Sequence, residues 1–210
     1  MHAGKPIVGV AGGVGSGKSF VARLFGELGC RVISSDELVR DAYRDGRVVA
    51  TLKKWWGGDV LTPGGEVNKR VVAQRIFADP AERQRLERLL HPMVSDARER
   101  VMAAAAPDPA VPAFVWDTPL LFETGLNARC DAVVFVDAPQ PLRLARVQAS
   151  RGWDAGELAR RENSQMPLDT KRNLSQYVVE NTADADVVRG QVRAVLSRIL
   201  ERTVGKPDPV

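Results

Sequence analysis

Cysteine and histidine are both scarce in this chain of 210 residues, which contains two of each. Cys30 and Cys130 lie beside predicted strands, and neither has another Cys or a His at the spacing of metal ligands. These counts exclude a zinc-finger module and a disulfide-stapled secreted fold. We expect both cysteines to be reduced core residues of a cytoplasmic protein.

Long hydrophobic runs are missing as well. A membrane-spanning helix requires ~20 consecutive apolar residues. Glycines interrupt the apolar run near the N-terminus of this chain, and no signal-peptide cleavage site follows it. We therefore expect no membrane partner.

The chain also has no block of charge of one sign. Its 30 basic residues, 23 of them arginine, are spread among 26 acidic residues, and the net charge is +4. A nucleic-acid binder usually concentrates its basic residues in a tract. Dispersed arginines suit a phosphorylated small-molecule substrate, because the guanidinium fork matches phosphate geometry. We therefore expect no nucleic-acid partner.

One glycine-rich stretch dominates what is present. Residues 7–11 have the pattern of a buried strand, and the turn that follows opens a helix containing Phe20; the turn is Gly12-Gly13-Val14-Gly15-Ser16-Gly17-Lys18-Ser19. G-x-x-x-x-G-K-S between a strand and a helix is typical of a phosphate-binding loop, the P-loop. We expect backbone N–H groups to hold the phosphates of a nucleotide, Lys18 to reach the β- and γ-phosphates, and Ser19 to ligate Mg²⁺.

Two acids follow predicted strands. Asp36 comes directly after a strand over 31–34, and Asp117 closes a strand over 113–117. Open α/β sheets bind ligands at the carboxyl ends of their strands, so both carboxylates are candidate site residues. Asp117 is a candidate Mg²⁺ ligand, directly or through water, with turn capping as the alternative. For Asp36 a catalytic role and a helix-start acid in a capping box stay equally open.

The segment 37–106 has helical periodicity and lacks strand signals, apart from a turn at 62–65. It predicts a set of helices over 37–44, 46–56, 69–78, 80–90 and 93–106, with a break at His91-Pro92. A run of helices between two strands of one sheet indicates an inserted subdomain. His91 is either a hydrogen-bonded structural residue or part of a site. Of the adjacent Trp55 and Trp56, we expect one in the core and one half exposed.

The remaining segments complete the organisation. A buried strand over 132–137 precedes a helix over 139–150, which carries Arg143 and Arg146 on one face. The basic segment 151–174 has the composition of a lid that closes over anionic groups, although a solvated helix face would have a similar composition. A last strand over 177–181 and a helix over 185–202 follow.

Strands alternating with helices predict an α/β fold with a five-stranded, parallel, doubly wound P-loop sheet. We expect residues 1–36, 107–150 and 175–205 to form the core, 37–106 the helical substrate subdomain and 151–174 the lid.

A GTP-binding switch is disfavoured, because the chain contains neither N-K-x-D nor D-x-x-G. A mechanical ATPase would be larger. The remaining class is a small-molecule kinase with ATP as donor.

The chain resembles the dephospho-CoA kinase family from Ile7 to Asn181. Besides the P-loop, the matching stretches are Val32-Ile33-Ser34-Ser35-Asp36, Leu90-His91-Pro92, Asp117-Thr118-Pro119-Leu120-Leu121-Phe122-Glu123 and the segment from Arg143 to Gly152. The resemblance implies ATP-dependent phosphorylation of the ribose 3′-hydroxyl of dephospho-CoA, the last step of coenzyme A biosynthesis, with Mg²⁺ and ATP bound together. The chain departs from the family at Ser34, where another acid is common, and at Ser175-Gln176, where Ala-Asp is usual.

The resemblance also implies site residues. Asp36 matches the catalytic acid, Arg146 matches the lid arginine that faces the phosphates, and Asn181 lies near the ATP base. The residues that match acceptor-lining positions are His91, Pro119, Leu120, Leu121 and Glu123. Because the pantetheine arm is long and largely neutral, we expect apolar side chains of the insertion, such as Phe77 and Trp55, to cradle it.

Two other functions stay open from the residues alone. One is another small-molecule kinase, for example one that acts on a nucleoside monophosphate. The other is a regulatory or nucleic-acid-associated protein whose P-loop only binds a nucleotide. The sequence predicts no oligomeric state.

Overall fold

The computed structural model describes residues 1–182 and 184–204, and the chain divides into two compact units. Unit 1 comprises Met1–Ser34 together with the described residues from Met102 onward, and unit 2 is Ser35–Val101. Unit 2 covers residues 37–101 of the predicted insertion, but it also includes Asp36, which was predicted to lie in the core, while residues 102–106 belong to unit 1. Residues 183 and 205, which the predicted core included, lie outside the described residues.

Unit 1 is built on a five-stranded sheet within the described residues. Its strands are β1 (Ile7–Gly12), β2 (Arg31–Ser34), β3 (Phe114–Asp117), β4 (Ala132–Asp137) and β5 (Tyr177–Glu180). The strand order is β2-β3-β1-β4-β5, and every neighbouring pair is parallel. The predicted α/β fold with a parallel doubly wound sheet is therefore confirmed.

Helices cover the sheet because its strands are apolar on both faces. Helix α1 (Lys18–Glu27) packs against the C-terminal helix α9 (Ala185–Val204) on one face, where the core contains Val8, Val10, Phe25 and Val192. The other face buries Ala11, Leu121, Phe122, Val133 and Phe135. Three helices connect β4 to β5: α6 (Gln140–Arg151), α7 (Ala155–Asn163) and α8 (Leu168–Asn173). The predicted lid over 151–174 contains α7 and α8.

Unit 2 is helical. Its elements are α2 (Ser35–Ala42), α3 (Gly46–Trp56), a 3₁₀ turn at Gly58–Val60, α4 (Lys69–Ala78) and most of α5 (Pro80–Ala105). Helices α3 and α4 begin where a side chain of Asp45 or Asn68 accepts a backbone N–H. Trp56 lies in the core at 7% exposure. Trp55 is half-buried beneath the Arg85 guanidinium, so the predicted division of the tryptophan pair is confirmed.

The predicted helix break at His91-Pro92 is wrong. Helix α5 continues through Pro92 to Ala105. Proline costs an interior helix one backbone hydrogen bond, but the turns on either side bury Leu86, Leu90 and Val94, and this packing outweighs the local preference. Helix α2 also begins at Ser35, so Asp36 lies in its first turn. Within the described ranges, no helix combines the length and hydrophobicity that crossing a bilayer requires.

Candidate active site

The loop between β1 and α1 turns sharply at two glycines with left-handed backbone. Gly15 has a φ of 76° and Gly17 a φ of 90°. A Cβ at Gly15 would lie 2.7 Å from the carbonyl oxygen of Arg143, and one at Gly17 would overlap the side-chain amide of Asn181. Only glycine adopts this backbone without strain and leaves this space. The loop can therefore lie directly against α6 and the end of β5.

Two side chains from outside the loop donate hydrogen bonds to the same carbonyl oxygen of the loop. Arg146, on α6, donates to Ser16 O at 3.2 Å and to Asn181 O at 2.9 Å. Asn181, which follows β5 and is 4% exposed, donates its side-chain amide to the same Ser16 O at 2.7 Å. These bonds fix the backbone of the loop, and a preorganised backbone favours anion binding.

Arg143 supports the first half of the same loop, a role that the sequence analysis missed. Its Nε donates to Ala138 O at 3.0 Å and its NH1 to Val14 O at 3.3 Å, and it pairs with Glu162 of α7. The only sequence signal was its three-residue spacing from Arg146. Two arginines on one face of α6 thus contact the P-loop backbone.

Lys18 folds back onto the loop that precedes it. Its ammonium donates to Gly12 O at 3.1 Å and to Gly13 O at 2.8 Å. Burial, followed by repulsion from the Lys171 ammonium, lowers the pKa of Lys18 to about 8, and the Asp117 carboxylate opposes this shift. Part of the Lys18 population is therefore neutral at slightly alkaline pH, and a bound anion would favour its charged form.

Asp117 closes β3 beside the strand that leads into the P-loop. It is in register with Val10 of β1 on one side and with Ser34 of β2 on the other, and it is 8% exposed. Ser19 is exposed in the first turn of α1, and Phe20, next to it, is half-buried against the core. Unit 1 therefore places a carboxylate, an ammonium and a hydroxyl in or beside one glycine-rich loop.

Asp36 is exposed in the first turn of α2, two residues after the end of β2. Together with Glu37 it supplies the acidic first turn that a helix dipole favours. The helix-start interpretation thus describes its position, and its catalytic role stays a prediction.

The predicted acceptor-lining residues are divided between the units. In unit 1, Pro119 is exposed and Leu120 half-buried. Leu121 is 1% exposed and packs against the backbone of Gly9, so its side chain lies in the core. In unit 2, Phe77 is 71% exposed at the end of α4, and His91 is exposed on α5. Their contacts with an acceptor stay predictions.

The remaining acceptor-lining residue, Glu123, leads to a second group that the sequence analysis missed. Its carboxylate pairs with Lys171 of α8 at 2.8 Å, and the Lys171 side chain is 2% exposed. The sequence indicated Lys171 only as one of several basic lid residues. No local pattern pairs residues 48 positions apart, so this contact needed the fold.

No group of three or more His, Cys, Asp or Glu residues that could hold a metal ion occurs in the part of the chain that the structure describes. Mg²⁺ in nucleotide sites commonly takes only one or two protein oxygens and completes its shell with phosphates and water. Ser19 and Asp117 suit that kind of shared coordination.

Comparisons with known proteins agree with this geometry. A family model described as dephospho-CoA kinase matches residues 6–187. A dephospho-CoA kinase from Syntrophotalea carbinolica is 38% identical over 97% of this chain and 96% of its own length, and one from Deinococcus radiodurans is 36% identical over 91% of each. TT1252 from Thermus thermophilus has a similar crystal structure, with a TM-score of 0.78 and 32% identity over 92% of this chain and 97% of its own.

Proposed function

This chain belongs to the dephospho-CoA kinase family, and from that premise we propose how its residues carry out ATP-dependent phosphorylation of dephospho-CoA in coenzyme A biosynthesis. In this proposal the P-loop holds the donor, and Asp36 acts on the acceptor. The observation that supports this proposal is that Arg146 and Asn181 both donate hydrogen bonds to Ser16 O and so fix the backbone of the P-loop.

In the proposal, ATP is bound by backbone N–H groups of the P-loop and by the Lys18 ammonium. The β- and γ-phosphates of ATP would lie against backbone N–H groups of the P-loop and the positive end of α1. Lys18 leaves the carbonyls of Gly12 and Gly13 to pair with phosphate oxygens, which offer it full negative charge instead of carbonyl dipoles. The ion pair between Lys18 and the phosphate oxygens then neutralises part of the negative charge on the transferred phosphoryl group.

Mg²⁺ belongs to the proposal because of the chemistry of two side chains. The Ser19 hydroxyl and the Asp117 carboxylate are hard oxygen donors, and Asp117 is in register with Val10 of β1, the strand that leads into the loop. They would hold the ion together with ATP. When bound, Mg²⁺ neutralises charge that develops on the phosphate oxygens.

Asp36 is the proposed proton acceptor. The O3′–H bond of the acceptor ribose breaks, its proton moves to the Asp36 carboxylate, and a new bond joins O3′ to the γ-phosphorus. The bond from that phosphorus to the β–γ bridging oxygen breaks, and ADP leaves. Asp36 is exposed, so it returns the proton to solvent.

A cytoplasmic location is also part of the proposal. Within the described residues neither Cys30 nor Cys130 forms a disulfide, and reduced cysteines are typical of a reducing compartment. Burial raises the pKa of Cys30 to about 12, so this thiol is unreactive and serves as a core residue.

One assay separates this function from its two alternatives. Purified protein is incubated with ATP and Mg²⁺ and with dephospho-CoA, a panel of nucleoside monophosphates or a nucleic acid, and ADP and phosphorylated products are measured. We expect ADP release only with dephospho-CoA, and its abolition by EDTA. Phosphorylation of a nucleoside monophosphate in its place, or ATP hydrolysis that needs no acceptor, would contradict the proposal.

Arg146→Ala is expected to lower kcat about 10²-fold, because loss of its two bonds shifts the loop relative to the transferred group. We expect the ATP KM to rise less than kcat falls. Arg146→Lys should rescue little, since an ammonium does not reproduce the fork that joins Ser16 O and Asn181 O. Steady-state kinetics test this, with Arg198→Ala on the exposed face of α9 as control. A change in KM alone would limit Arg146 to ground-state binding.

A further inference from the structure

Arg143 is a buried cation of α6 whose guanidinium reaches three separate parts of unit 1. The residue is 5% exposed, and arginine is almost never that buried unless it is paired. Its Nε donates to Ala138 O, directly after β4, and its NH1 donates both to Val14 O of the P-loop and to the carboxylate of Glu162 on α7. One planar fork therefore joins the end of β4, the P-loop and α7.

The guanidinium lies directly against the loop. A Cβ at Gly13 would stand 3.0 Å from Arg143 NH1 and 3.3 Å from its central carbon. The Glu162 carboxylate, whose side chain is 18% exposed, pairs with this same NH1. An unpaired carboxylate so close to a phosphate-binding loop would repel phosphates. Because Arg143 neutralises it, α7 can lie beside the loop without bringing a net negative charge there.

Helix α7 is also attached to α6 at a second place. The Trp153 ring, between the two helices, packs against the guanidinium carbons of Arg151 on α6 and Arg161 on α7, which lie 4.7 Å and 5.0 Å from its centroid. These contacts hold α7 to α6. The pair of Arg143 and Glu162 adds a connection from α7 to the backbone of the P-loop.

We propose that Arg143 is a positioning residue for phosphoryl transfer, which uses its ion pair with Glu162 to couple the P-loop to α7. A nucleotide that fixes the loop then also fixes α7. The inference rests on the proposed function, which places the phosphates of ATP on the P-loop. Stability alone gives no reason for this ion pair, because neutral residues of similar volume often replace buried pairs without cost.

The kinetic test uses Glu162→Gln, which removes the carboxylate but leaves the bonds from Arg143 to Ala138 O and Val14 O in place. We expect a folded protein with a kcat about 10-fold lower, because α7 is no longer held against the loop. The ATP KM should not rise, since the unneutralised guanidinium attracts phosphate. The matched control is Glu27→Gln, which breaks a surface pair with Arg189.

Arg143→Lys tests the fork itself. Lysine keeps the positive charge, but a single ammonium does not reproduce the geometry that joins Ala138 O, Val14 O and the Glu162 carboxylate. We expect a loss of kcat similar to that of Glu162→Gln. A folded Arg143→Lys with wild-type kcat would overturn the inference, because charge alone would then be sufficient.

Hydrogen exchange with ADP supplies a readout that needs no acceptor and that a merely structural role would not move. In the wild type we expect saturating ADP to slow amide exchange in the P-loop and in α7, because the fork joins them. In Glu162→Gln, ADP should slow exchange in the P-loop alone. Equal slowing of α7 in the wild type and in the folded variant would overturn the inference, as would the absence of slowing in wild-type α7.

These readouts also separate two possible failures. If ADP slows exchange in wild-type α7 but the chain does not phosphorylate dephospho-CoA, the proposed function fails, and the exchange data still decide whether the ion pair couples the loop to α7. If the wild type phosphorylates dephospho-CoA and folded Glu162→Gln does so equally well, only the positioning role fails.

Discussion

Asp36→Asn is expected to bind ATP and dephospho-CoA with near-normal affinity and to lose about 10²–10⁴-fold in kcat. Asparagine has nearly the shape of aspartate, but its amide does not accept the proton that the ribose hydroxyl must release. A ribose hydroxyl is a weak nucleophile, so its proton has to move as the new P–O bond forms. Single-turnover kinetics with saturating substrates, together with calorimetric affinities, measure the two effects separately.

The matched control is Asp41→Asn, which changes the same residue type on the same helix. Asp41 is exposed and pairs with Arg44 at 3.1 Å, and an exposed pair of this kind contributes little to stability. The helix-start interpretation of Asp36 makes a different prediction, because asparagine removes only the negative charge that favours the first turn of α2. Near-normal turnover of Asp36→Asn, with a slightly lower melting temperature, would favour that interpretation and remove Asp36 from the mechanism.

Lys18→Met is expected to lower kcat about 10²–10³-fold, the usual cost of losing one preorganised group that stabilises transition-state charge. Methionine keeps the length and much of the apolar stem of lysine, so the loop should keep its fold. ATP affinity should fall as well, because the ion pair with phosphate forms in the ground state too. Lys54→Met, on the exposed side of α3, is the control. A variant with lower affinity but a normal kcat would show that Lys18 only binds.

The pH dependence of Lys18 gives this prediction a second readout. Since its pKa in the folded chain is lowered from 10.5 to about 8, the unfolded chain binds more protons between these two values. The free energy of unfolding should therefore rise with pH over that range relative to Lys18→Met. A polyphosphate favours the ammonium form, so ATP binding should take up a proton near pH 8 and weaken above it. Lys18→Met should show neither trend.

The sheet was predictable because its signals are local and agree with one another. Continuous apolar runs such as 132–137 require burial on both faces, and each predicted strand starts and ends within one residue of the observed one. The helix break at His91-Pro92 failed for the opposite reason. The local cost of Pro92 is real, but packing by Leu86, Leu90 and Val94 decided the outcome, and that packing is tertiary.

The residues of the candidate site also differ in whether the sequence could predict them. The P-loop could be identified because its chemistry is carried by consecutive residues. The roles of Arg143 and Lys171 could not, since each depends on a partner far away in sequence: Val14 for the first and Glu123 for the second. Arg146 was assigned to the site only through the family resemblance, and its contacts with the Ser16 and Asn181 carbonyls were not predicted.

The bond between Asn181 and Ser16 has a consequence for the order of events during synthesis. These residues are 165 positions apart, so an emerging chain contains the whole P-loop sequence long before it contains the residue that braces it. A nascent chain that ends before Asn181 should bind ATP weakly, although its Gly12–Ser19 stretch is complete. ATP then stabilises only the finished fold and favours it over partly folded chains by mass action. Nucleotide affinity in this chain is acquired late, when the last strand joins the sheet.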